Sequence, residues 1–131
     1  MGSASTHQKQ AVRLFQAFET GTPNAVESIL ELFSETANFF MWGPHRPPLA
    51  GTAGMREGFT EMFKQLRDFR YRITNMAEHE NILFIERVEN FRFMEKHDVK
   101  VSLVSVSELG SDGRFVSWTD YFDSSILTQL E

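Results

Sequence analysis

Cysteine is missing from all 131 residues, which excludes disulfides, a thiolate nucleophile and Cys-ligated metals. Basic clusters are missing too. Net charge is −5 and no run of Lys or Arg is interleaved with aromatic residues, so neither nucleic acid nor an anionic membrane is expected as a partner. No apolar stretch approaches the roughly 20 residues that span a bilayer, and no charged-then-apolar leader opens the chain, which points to a soluble, cytoplasmic protein. There is no G-x-S-x-G elbow, the signature of one large class of serine hydrolases. His7, His45, His79 and His97 fall in the terminus or in loops, and no two of them have metal-ligand spacing on one element. Neither a metal nor another cofactor is expected.

What is present is apolar and ring-rich. Hydrophobic residues make up 41% of the chain and 13 are Phe, enough for one sizeable core and a cavity walled by large side chains. Residues 6–131 are expected to form one domain, with residues 1–5 a frayed or expression-derived terminus. From Gln8 onward, Ala11, Val12, Phe15 and Phe18 recur at helical spacing and Gly21 supplies a stop. Thr22-Pro23 reads as the cap and first residue of a second helix with Val26, Ile29, Leu30 and Phe33 on its apolar stripe. Thr36 to Trp42 reads as a strand ended by Gly43-Pro44 and Pro47-Pro48. Thr52 is expected to cap a third helix, in which Met55, Phe59, Met62, Phe63 and Leu66 form the clearest amphipathic pattern of the chain.

Four strands follow. In the first, Phe69, Tyr71 and Ile73 alternate with the wet-face residues Arg70, Arg72 and Thr74. Turns at Glu78–Asn81, Glu95–Asp98 and Ser111–Gly113 separate it from Ile82–Met94, Val99–Leu109 and Phe115–Asp123. In Val99–Leu109 the apolar set changes parity, from Val99, Val101 and Leu103 to Val104 and Val106, which predicts burial on both faces or a bulge. The order α, α, β, α and then four antiparallel strands gives an α+β fold, a curved mixed sheet wrapped around three helices with a pocket between them.

Two apolar strand faces carry charges. Val116, Trp118, Asp120 and Phe122 share one face of the last strand; Leu83, Ile85, Phe91 and Phe93 share a face with Arg87 and Glu89. An isolated buried charge costs several kcal/mol or titrates away, so three such groups imply mutual pairing or a functional cavity. They are the candidate catalytic residues. Two carboxyl groups held apart in protonation state by a guanidinium can serve as base and acid in one reaction. The alternatives are a structural ion-pair network, an isomerase or cyclase in which Asp120 or Glu89 takes a carbon-bound proton, and a non-catalytic binder of hydrophobic ligands.

The segments Glu86-Arg87-Val88-Glu89-Asn90-Phe91 and Trp118-Thr119-Asp120-Tyr121-Phe122-Asp123 resemble the signature stretches of the limonene-1,2-epoxide hydrolase family, Glu-Arg-Val-Asp and Trp-Arg-Asp-Tyr-Phe-Asp. The resemblance implies the cone of the NTF2-like, cystatin-like fold shared with SnoaL-type cyclases and ketosteroid isomerases. It also implies one-step hydrolysis of a hydrophobic epoxide and a homodimer packed through the outer sheet face. Asp120 takes the place of the base, Arg87 that of the bridging arginine, and Glu89, one methylene longer than the family's Asp, that of the acid. The family's water-steadying Tyr and Asn on the first strand are matched by Phe40 and Trp42, with Asn38 two residues earlier. The expected pocket for a small hydrophobic substrate comprises Asn38, Phe40, Trp42, Phe59, Phe63, Leu83, Ile85, Phe91, Trp118 and Phe122.

Overall fold

A computed structural model describes residues 4–130. Helices α1 (Thr6–Thr20) and α2 (Ala25–Leu30) precede strand β1 (Phe33–Phe40). A two-residue strand β2 (Leu49–Ala50) leads into α3 (Gly51–Gln65), and four long strands follow: β3 (Leu66–His79), β4 (Ile82–Phe93), β5 (His97–Leu109) and β6 (Phe115–Phe122). A 3-10 helix, Ser124–Leu130, ends the described chain. The six strands form one open, mixed sheet in the order β2-β1-β6-β5-β4-β3. β3 to β6 are an antiparallel meander, and β1 joins β6 in parallel. This is the expected α+β cone.

Helix α1 starts earlier than its apolar spacing suggests, because Ser5 and Gln8 form a reciprocal capping box. Ser5 therefore belongs to the fold, while residues 1–3 of the expected terminus lie outside the described residues. Its core face is Ala11, Leu14, Phe15 and Phe18, with Val12 37% exposed. Helix α2 is shorter than expected. Thr22-Pro23 lies in the preceding turn, Asn24 occupies the cap position without a side-chain bond, and Phe33 opens β1 instead of extending the helical stripe. The last turn tightens through Leu32 N–H to the Ile29 carbonyl, which turns the chain toward the sheet. Thr52 does not cap α3; Ala50 holds that position with no side-chain bond and Thr52 sits inside the first turn. The predicted stripe is nonetheless buried through Met55, Phe59, Met62 and Phe63.

Strand β5 contradicts the expected parity change. Val99, Val101, Leu103, Ser105 and Ser107 all face inward, Val104 is 36% exposed, and the β4–β5 register runs unbroken from Phe93↔His97 to Ile82↔Glu108. The inner face stays the same while its residues turn polar. Ser107 is buried because His7, in the first turn of α1, reaches it at 2.9 Å. That buried pair also corrects the placement of His7, which is neither frayed nor in a loop; His79 and His97 lie at strand ends. Because Ser107 faces Leu83 across the ladder, α1 closes this end of the cone and the cavity begins further along, at Arg87.

Candidate active site

Alternation along β4 and β6 aims Arg87, Glu89 and Asp120 at the space between sheet and helices. Arg87 is 3% exposed and lies at the centre of the group. Its Nη2 donates to Asp120 Oδ1 at 3.2 Å and to Glu89 Oε2 at 3.4 Å, and its Nη1 donates to Ser105 Oγ. Ser105 in turn donates to Asp120 Oδ1 at 2.7 Å, and the Trp118 indole N–H donates to the same oxygen at 2.9 Å. Three donors therefore converge on Oδ1, while no hydrogen bond reaches Oδ2 from the described residues, which leaves that oxygen to take a proton. The guanidinium carbon lies 4.8 Å from the Phe15 ring centroid, 5.7 Å from Tyr71 and 6.0 Å from Trp118, so ring faces supply part of the solvation that burial removes.

The charges are held unequally. Burial pushes the Glu89 carboxyl up to about 7 and the Asp120 charge pushes the same way, outweighing Arg87 and a hydrogen bond from Tyr71. Burial opposes the Arg87 charge, but Asp120 and Glu89 more than offset it and the guanidinium is held above its ordinary range. At neutral pH the group thus contains a fixed cation and a carboxyl poised between its two forms. Both Arg87 to carboxylate contacts exceed the roughly 2.8 Å of an optimised charge-assisted pair. Desolvating three ions costs several kcal/mol each and is recovered only with excellent geometry, so the arrangement is a poor device for stability alone.

A cavity of about 60 Å³ opens beside these groups. Of the residues expected to line it, Trp42, Phe91, Trp118 and Phe122 do so, together with Arg87, Glu89 and Asp120. Trp42, 36% exposed, stands nearest to solvent. Phe59 and Phe63 lie in the layer behind, their rings against Phe39 and Phe69, while Leu83 and Ile85 are fully buried core residues. Asn38 is exposed and Phe40 half-buried; both are off the cavity. The first strand contributes Phe39 instead, and Met41 follows in the turn just beyond its end. Between the pairs Phe33↔Phe115 and Asn38↔Ser117, β1 advances five positions while β6 advances two, and the odd-numbered Phe33, Ala37 and Phe39 are the buried ones on either side of that irregularity.

Two residues with polar side chains were not expected here. Ser105 sits between Val104 and Val106, the two residues a parity change would turn inward, and the unbroken alternation from Val99 turns Ser105 inward instead. Tyr71 lies on the apolar face of its strand, as the alternation predicts, and its hydroxyl comes within 3.5 Å of Glu89 Oε1 at the cavity wall. No cluster of three or more metal-ligating side chains occurs among the described residues, and no helix among them is long and apolar enough to cross a membrane.

A sequence model of the SnoaL-like domain matches residues 11–118. The chain belongs to the SnoaL-like domain family. Among solved structures, this SnoaL-like chain is similar to an M. tuberculosis LEH-like epoxide hydrolase, with 14% identity over 95% of this chain and 87% of that one and a TM-score of 0.78. It is similar to SalBIII, an epoxide hydrolase/cyclase-like enzyme of pyran ring formation in the polyether salinomycin, at 16% identity over 91% and 92% of the two chains and a TM-score of 0.78. An NTF2-like protein of unknown function from Burkholderia pseudomallei matches at 12% identity over 97% and 98%, with a TM-score of 0.81. At such identities the likeness is one of fold, and the fold is NTF2-like. No curated protein matches the SnoaL-like chain.

Proposed function

We propose that this SnoaL-like protein adds water to a small hydrophobic epoxide in one step. The observation that carries the reading is the pairing of Asp120, whose Oδ1 accepts three hydrogen bonds, with Glu89, poised near neutrality, on either side of Arg87 in a ring-lined cavity. Asp120 takes a proton from water as the water oxygen attacks a ring carbon; the carbon–oxygen bond breaks, and Glu89 gives its proton to the departing oxygen. The diol leaves Asp120 protonated and Glu89 ionised, and one proton passing between them through solvent restores the starting state. Arg87 keeps both carboxyl groups in place throughout. Substrate contacts beyond the reacting oxygen are apolar, from Phe15, Phe18, Phe39 and Phe122 among others. Incubation with a panel of apolar epoxides should yield diol.

A second reading has one observation in its favour. The first strand and the turn after it offer the cavity Phe39 and Met41, neither of which can steady a water, and a held water needs two to four polar partners. An isomerase or cyclase, in which the ionised carboxylate takes a carbon-bound or hydroxyl proton of the substrate, needs no such anchor. Turnover of the panel to rearranged or cyclised product without diol would select it.

We further propose that a second copy of the chain covers the outer sheet face. There Phe84 pairs with Val106 and Val104 with Tyr121, and Phe84, Val104 and Tyr121 are 41%, 36% and 46% exposed, an apolar strip on strands otherwise bearing Glu86 and Ser102. Light scattering at micromolar concentration should give twice the chain mass. A monomer would contradict this.

A further inference from the structure

The two oxygens of Glu89 have different neighbours. Oε2 faces Arg87 Nη2 at 3.4 Å, whereas Oε1 faces the Tyr71 hydroxyl at 3.5 Å. Tyr71 and Glu89 are directly opposite in the β3–β4 ladder, where cross-strand side chains are closest neighbours. The Tyr71 ring has little freedom: it stacks on Phe15 at 4.8 Å and 25°, lies nearly parallel to Phe69 at 6.2 Å and 8°, and has the Arg87 guanidinium over it. Fixing the ring fixes the hydroxyl. Tyr71 also contributes the one hydroxyl group among the described residues lining the cavity. We propose that Tyr71 is the positioning residue of the acid: its hydroxyl donates to Glu89 Oε1 and, with Arg87 on Oε2, holds the carboxyl turned toward the cavity.

This assignment rests on the reading of Glu89 as the proton donor. A 3.5 Å separation is long for a hydroxyl and a carboxyl group, but catalytic hydrogen bonds are commonly slack at rest and tighten when substrate excludes water. Burial holds the Tyr71 hydroxyl well above its ordinary range, reinforced by the Glu89 charge, so it remains a donor at any working pH. The charged and titratable groups acting on Glu89 are Arg87, Asp120 and Tyr71.

Tyr71→Phe tests it, because the ring packing stays and only the hydroxyl goes. The first readout needs no substrate: the carboxyl carbon of Glu89 is followed by NMR across pH, its resonance assigned by its loss in Glu89→Gln. A hydroxyl that donates to the ionised carboxylate favours that form, so its removal should raise the midpoint from about 7 by about half a unit or more, the worth of one hydrogen bond. An unchanged or lowered midpoint overturns the proposal. With an epoxide that the parent protein turns over, kcat should fall about tenfold with KM nearly unchanged, and the alkaline limb of the rate profile should move up with the midpoint. A raised midpoint with unaltered kcat would also overturn the positioning role. If the parent forms no diol from any epoxide, the hydrolase reading fails, and the titration still decides whether Tyr71 holds Glu89.

Discussion

Asp120→Asn should lower turnover of an epoxide at least about a hundredfold, the usual cost of losing a general base, while the protein still folds. The amide keeps the volume and the oxygen that accepts from Ser105, Trp118 and Arg87, so the strand register has no reason to change. Arg87 retains a counter-charge in Glu89, which avoids the 3–5 kcal/mol or so that an orphaned buried ion would cost. The substitution acts twice on the chemistry. It removes the base, and by removing the negative charge that helps hold Glu89 protonated it also drains the acid at neutral pH. Steady-state kinetics with a thermal melt checks this, and more than a tenth of the parent activity in a folded variant would remove Asp120 from the mechanism.

Glu89→Gln should abolish activity to a similar degree and yet stabilise the protein. Glu89 holds its proton to about pH 7 in the folded state, against 4.5 for the free side chain. Below pH 4.5 both states carry the proton and the parent loses nothing. Between 4.5 and 7 the unfolded chain releases its proton first, so stability falls as pH rises; above 7 the whole difference is lost, about 3 kcal/mol at about 1.4 kcal/mol per unit. Glutamine does not ionise, so the variant should melt with the parent near pH 4 and as much as about 10 °C above it at pH 8. Equal melting temperatures at both pH values would mean that Glu89 titrates as an ordinary surface carboxyl. A gain in stability with a loss of turnover is the pattern of a strained working group.

The charged group was legible because β4 alternates cleanly and β6 does so from Trp118 onward, past the irregularity that also buries Phe115: once Leu83, Ile85 and Trp118 define the inner face, Arg87, Glu89 and Asp120 follow by counting. Helix α3 was legible for the same reason at a period of 3.6. The first strand was not, since Phe39 and Phe40 put rings on both parities and the bulge between Phe33 and Asn38 is visible only against its neighbour β6. Strand β5 misled in the opposite way. Its inner face turns to Ser105 and Ser107 because buried Arg87, Asp120 and His7 need hydroxyl partners, while Val104 and Val106 fall on the outer face. A rule that puts apolar residues inside fails where the interior is built around ions. The role of Tyr71 was hidden behind its ring, which fits an apolar face whether or not its hydroxyl has work to do.

The measurement closest to the central claim is a single turnover in water enriched in oxygen-18, with protein in excess over an epoxide that the panel identifies. Direct attack by water places the label in the diol and none in the protein, and the account predicts that result. Label recovered in the carboxyl group of Asp120 or Glu89 would show an ester intermediate and contradict one-step general acid and base catalysis by this pair.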